Sequence, residues 1–91
     1  MESERLHCTV RGDVQGVGFR VFAWTTASRE GLHGWVRNLP DGRVEISAEG
    51  EAEAVERFER QVRHGPPGAK VDHVDASEEG VSGSDAGFLM R

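Results

Sequence analysis

Residues 12–18 constrain this 91-residue chain more than any other segment, because three glycines, Gly12, Gly16 and Gly18, separate two stretches of different period. Before them, Leu6, Cys8 and Val10 alternate with His7, Thr9 and Arg11, the two-residue repeat of a strand with one buried face. After them, residues 19–30 read as a helix, with Phe22, Ala23, Thr26 and Ala27 on one stripe. Val21, Thr25 and Thr26 are β-branched and weaken that helix locally. Gly31 is placed to end it. A strand must therefore turn into a helix through a bend that only glycine makes easy.

The remaining elements follow in order. Residues 32–39 and 43–49 flank Pro40-Asp41-Gly42, where proline suits the first central turn position and glycine the left-handed one, so they form a hairpin. Val44, Ile46 and Ala48 alternate with Glu45, Ser47 and Glu49, which defines the second arm. In the first arm Trp35 and Arg37 oppose Gly34 and Val36, and the pattern leaves the buried face open. Residues 51–64 form the strongest helix: Val55, Phe58 and Val62 share a face, with Glu51, Glu53 and Glu56 early and Arg60, Arg63 and His64 late, matching the macrodipole. Gly65-Pro66-Pro67-Gly68 stops it. A strand is expected over 71–77, although Val71 and Val74 break alternation. A polar loop follows over 78–87, and 88–90 is long enough for a short last strand.

This order, βαββαβ, predicts an α+β, ferredoxin-like sandwich: an antiparallel sheet of strand order 4-1-3-2, with a short fifth strand at most, and two helices on one face. Right-handed crossovers make strands 1 and 2 parallel with strand 3 between them. Their C-terminal ends then reach one edge of the sheet, roughly 10 Å apart. There is no repeat or linker, so a single domain over residues 1–91 is expected.

Composition narrows the function. At 36% hydrophobic and 30% charged residues the chain is globular in character. Eleven basic against sixteen acidic side chains give a net charge of −5, which speaks against nucleic-acid binding by a broad basic surface. No apolar run approaches the roughly 20 residues that span a bilayer, so no membrane association is expected. The acidic start, MESERLHC, lacks the apolar segment of a secretory signal, and the lone Cys8 cannot form an internal disulfide. Both features fit a cytoplasmic protein. The acidic character and the lack of a spare apolar stripe suggest a monomer.

A local site can still be positive on an acidic protein. Successive N–H groups in the 12–18 bend can form an anion nest, the following helix N-terminus adds partial positive charge, and Arg20 offers a planar guanidinium to phosphate. The other reading is a tight strand-to-helix turn with a solvated arginine. No Gly-Lys-Ser/Thr is present, so this is not a Walker loop, and the last glycine of the dinucleotide fingerprint is missing. Asn38, at the end of strand 2, is brought to the same edge. Its amide can hold a water by donating and accepting at once, or can serve the turn that follows. Cys8 reads as a small core residue. His7, His33, His64 and His73 lack ligand spacing, so no metal site is expected. Trp24 and Trp35 read as packing residues, and Arg11 and Arg37 as solvated strand arginines.

Val10-Arg-Gly-Asp-Val-Gln-Gly-Val-Gly-Phe-Arg20 resembles the signature loop of the acylphosphatase family, and Gly34-Trp-Val-Arg-Asn38 resembles its second signature. Ala27, Gly31-Leu32, Asp41-Gly42, Gly65-Pro66 and Phe88 extend the likeness over essentially the whole chain. The resemblance implies hydrolysis of acyl phosphates to a carboxylate and inorganic phosphate on a ferredoxin-like fold, without metal or other cofactor. It implies that phosphate, also expected as product and inhibitor, is bound by the loop of Gly12, Asp13, Val14, Gln15, Gly16, Val17, Gly18 and Phe19 together with Arg20. It implies further that Asn38 orients the attacking water. Arg20 and Asn38 are then the catalytic pair. The Asp13 carboxylate would repel a phosphate and is expected to point away. Trp24 and the Gly/Ser-rich stretch before Phe88 fall outside the pattern.

Two rival functions remain. One is an anion-binding regulatory module that keeps the loop without turnover. The other is a domain serving carbamoyl phosphate chemistry; resembling domains of that kind stand at the front of much longer chains, whereas this chain ends at Arg91. RNA binding would want basic charge and sheet aromatics that this sequence lacks.

Overall fold

The computed structural model describes residues 2–91. Its elements are β1 (Ser3–Asp13), α1 (Phe19–Arg29), β2 (His33–Asn38), β3 (Val44–Glu51), α2 (Ala52–His64), β4 (Lys70–Glu79) and β5 (Phe88–Met90). The sheet order is β4-β1-β3-β2-β5. The expected 4-1-3-2 core is therefore present, and residues 88–90 do form a fifth strand. One expectation needs correction: β5 pairs with β2 in parallel, so the sheet is mixed rather than antiparallel throughout.

Alternation becomes a core through register. Leu6, Cys8 and Val10 of β1 face Ala48, Ile46 and Val44 of β3, and Val36 of β2 faces Ile46 from the other side. All are buried, and they form one cluster with Phe19, Ala23 and Ala27 of α1 and Val55, Phe58 and Val62 of α2. Phe19 and Phe58 are wholly enclosed, each contributing roughly 2–3 kcal/mol of apolar burial. Val36, not Trp35, marks the buried side of β2. Cys8 sits deep in this core, and burial pushes its thiol up to about 12, far from a reactive thiolate.

The irregular valines of β4 have a local cause. The β1–β4 register shifts so that Arg11 pairs with His73 but Gly12 with Val71, leaving Asp72 as an extra residue. That bulge reverses the side-chain phase, so Val71 and Val74 both pack against the core. Gly12 permits it: its φ is +139°, and a Cβ there would run into the Lys70 carbonyl oxygen. Gly12 and Asp13 thus belong to the paired end of β1 and not to the bend, which starts only at Val14.

Three-residue β5 is held from several sides. Gly34 N–H donates to Gly87 O at 3.0 Å, and Arg91 N–H to Val36 O at 2.9 Å. The Trp24 indole N–H donates to Phe88 O at 3.0 Å, and the Phe88 ring lies 6.1 Å from that of Phe58. Trp24, outside any pattern in the sequence, ties α1 to this strand.

Candidate active site

β1 and β2 run in the same direction on either side of β3, and Val10, Val44 and Asn38 lie in one row across the sheet. Beyond that row β1 continues three residues to Asp13 before the chain bends into α1. Gly16 (φ +76°) and Gly18 (φ +78°) take the left-handed conformation that the bend requires. Gly18 is the N-cap of α1, and its carbonyl accepts the first helical hydrogen bond from Phe22 N–H at 2.9 Å.

This helix start breaks local rules. It has no side-chain cap and no acidic residue in its first turn, and it carries Arg20 there instead. The first N–H groups of a helix are unpaired, and a cation near them opposes the macrodipole. Both costs vanish when an anion sits against the amides and the guanidinium.

The geometry brings Arg20 and Asn38 together. They line one open pocket of about 320 Å³ with Val14, Gly16, Gly18, Phe19, Val21 and Met90. Of the expected phosphate-binding residues, Val14, Gly16, Gly18, Phe19 and Arg20 reach it. Gly12, Asp13, Gln15 and Val17 do not line it. Gln15 spends its side chain elsewhere: its amide donates to Leu39 O at 2.7 Å and Arg43 O at 3.0 Å, stapling the bend to the β2–β3 turn beside Asn38. The Asn38 carboxamide is exposed and makes no hydrogen bond to another described residue.

Three participants left little trace in the sequence. Arg20 Nη1 donates to the Arg91 main-chain oxygen at 2.7 Å, so the residue that follows β5 holds the guanidinium. Met90 of β5 and Val21 of α1 complete the pocket wall. A main-chain acceptor has no residue-type signature, and β5 read only as a short strand. Arg37, next to Asn38, points to the helix-free face. There it donates to Glu45 at 2.6 Å and lies 5.3 Å over the Trp35 ring, which Arg91 approaches at 5.0 Å. Burial alone would raise the Glu45 carboxyl, but hydrogen bonds from His7 and Arg37 outweigh it and hold it below the usual carboxylate range. No three His, Cys, Asp or Glu side chains among the described residues are grouped to hold a metal. No described helix is long and apolar enough to cross a membrane.

Fold and site together define a small α+β domain whose sheet edge gathers a glycine bend, a helix N-terminus, an arginine and an asparagine around one open pocket. Comparison with known proteins specifies it further. The acylphosphatase family model matches residues 6–90. The acylphosphatase of Rubrobacter xylanophilus is 49% identical over 90 residues, covering 99% of this chain and 82% of that protein. That of Methylococcus capsulatus is 51% identical over 87 residues, covering 96% and 95% respectively. The crystal structure of acylphosphatase from Bacillus subtilis superposes with a TM-score of 0.92 at 39% identity, over 97% of this chain and 98% of that one. The chain belongs to the acylphosphatase family.

Proposed function

We propose that this chain hydrolyses acyl phosphates to a carboxylate and inorganic phosphate, with Arg20 and Asn38 as its catalytic residues. Support comes from family membership and, above all, from one observation: Arg20 and Asn38, eighteen positions apart in sequence, line the same pocket as the left-handed glycines of the bend. The phosphoryl group is held by the bend amides, the N-terminus of α1 and the Arg20 guanidinium, whose donors also meet the charge that develops as the group transfers. Asn38 accepts from and donates to the attacking water, orienting it behind phosphorus. The water oxygen bonds to phosphorus as the bond to the acyl oxygen breaks. The water proton passes to a phosphate oxygen, and the bonding pair leaves with the carboxylate. A carboxylate of ordinary pKa, about 4, needs no protonation to depart, so no general acid is required.

The test is a time course of ultraviolet loss of benzoyl phosphate, repeated with added inorganic phosphate. Hydrolysis with competitive inhibition by phosphate is expected. Phosphate binding without any turnover would reduce the chain to an anion-binding module on the same fold.

A further inference from the structure

The pocket that contains Arg20 and Asn38 has two kinds of wall. Gly16, Gly18, Arg20 and Asn38 supply polar groups, while Val14, Phe19, Val21 and Met90 are apolar. Val14 and Phe19 are 1% exposed and already committed to the core. Val21 and Met90, by contrast, are 53% and 48% exposed. Among the described residues only four large apolar side chains are that exposed, and two of them meet at this one rim.

Their placement follows from the fold. Met90 pairs with Val36, whose side chain is on the helix-covered face, whereas Leu89 pairs with Trp35 on the other face. Met90 therefore extends the row of Phe88 past the end of the core, beside the first turn of α1. Val21 adjoins Arg20 in that turn. The lining holds no carboxylate and no second cation.

We infer that Val21 and Met90 form an acyl-binding wall, which selects acyl phosphates with an apolar carboxylic fragment over small or charged ones. The inference rests on the reading of this pocket as an acyl phosphate site. With phosphate at the bend amides, the bridging oxygen directs the acyl group outward across the rim, where an aromatic or alkyl fragment removes the Val21 and Met90 surfaces from water. A fragment carrying a second negative charge meets no partner there and loses hydration uncompensated. A flexible thioether adapts to fragments of different shape, so the preference is for apolarity and not for one outline.

The experiment compares benzoyl phosphate with acetyl phosphate in the wild type and in the double variant Val21→Thr/Met90→Gln. Both positions are half-exposed, so the changes open no core cavity. The benzoyl-to-acetyl ratio of kcat/KM is expected to fall about fivefold, within what a few apolar contacts supply, while the inhibition constant of inorganic phosphate changes less than about twofold. Val21→Leu, which enlarges the wall and favours helix, is expected to raise the ratio about twofold. An unchanged ratio in both variants overturns the wall while leaving the hydrolytic function standing. Failure of the wild type to hydrolyse either acyl phosphate removes the function itself, and the wall with it.

Discussion

Two loops of this protein have the makings of an anion site, and they differ in where an anion would come from. In loop 80–87 it is the chain's own. Ser82 donates to Glu49 through its N–H at 3.0 Å and its hydroxyl at 2.7 Å, and Gly83 N–H donates at 2.7 Å. Glu49 lies on the helix-free face of β3, yet the loop folds over it and leaves it 6% exposed. In bend 14–18 the left-handed glycines lead into an uncapped helix whose first turn holds an arginine and no acid. The same physics makes a structural clasp where the anion is built in, and would make a binding site where the anion has to arrive from outside.

Breaking each side of that contrast should hurt a different property. The largest effect belongs to Arg20→Ala. Removing the guanidinium is expected to lower kcat/KM for benzoyl phosphate about 10⁴-fold, within the range of arginines that stabilise phosphoryl transfer, and to leave the melting curve nearly unchanged. Asn38→Ala is next. A fall in kcat of about 10²-fold with little change in the inhibition constant of phosphate would show that the amide serves the water and not the anion. Equal losses in both would assign Asn38 to phosphate binding.

Glu49→Gln tests the other loop and should affect stability alone, by about 2 kcal/mol in urea unfolding at pH 7, the size of a charge-assisted hydrogen-bond loss. Burial alone would raise the Glu49 carboxyl, but the bonds from Ser82 and Gly83 outweigh it and hold it below its ordinary value of 4.5. A carboxyl depressed by folding adds stability above its unfolded pKa, and that stability disappears as pH falls through the folded value. The wild type should therefore lose its advantage over Glu49→Gln below about pH 4.5. An advantage that persisted into stronger acid would mean that the clasp does not depend on charge.

Local patterns forecast what local chemistry decides. The spacing of Val55, Phe58 and Val62 and the turn at Gly42 are enough to predict α2 and the β2–β3 hairpin, and the parallel course expected of β1 and β2 is enough to predict Arg20 and Asn38 at one edge. Other features depend on pairing between distant segments. The β4 bulge is visible in sequence only as two misplaced valines, because its cause is Gly12, some sixty residues earlier. Glu49 alternates like any outward-facing glutamate, and nothing near it announces the loop that covers it. Gln15 sits inside the signature loop, yet its side chain serves a turn that becomes its neighbour only after folding. Met90 and the Arg91 oxygen joined the site because β5 adds in parallel, a choice its three residues do not encode.

The hydrogen bond from Arg20 to the Arg91 oxygen ties the orientation of the guanidinium to local fraying. So short a strand opens at far lower free energy than the sheet interior, and each opening frees the arginine side chain to rotate. Deuterium uptake at the amides of Gly34 and Arg91, which bridge β2 and the segment carrying β5, would report how often the guanidinium loses this support. A ligand that holds the guanidinium in place should slow that exchange, so an anion at the bend would be recorded in the closure of the strand at the far side of the same pocket.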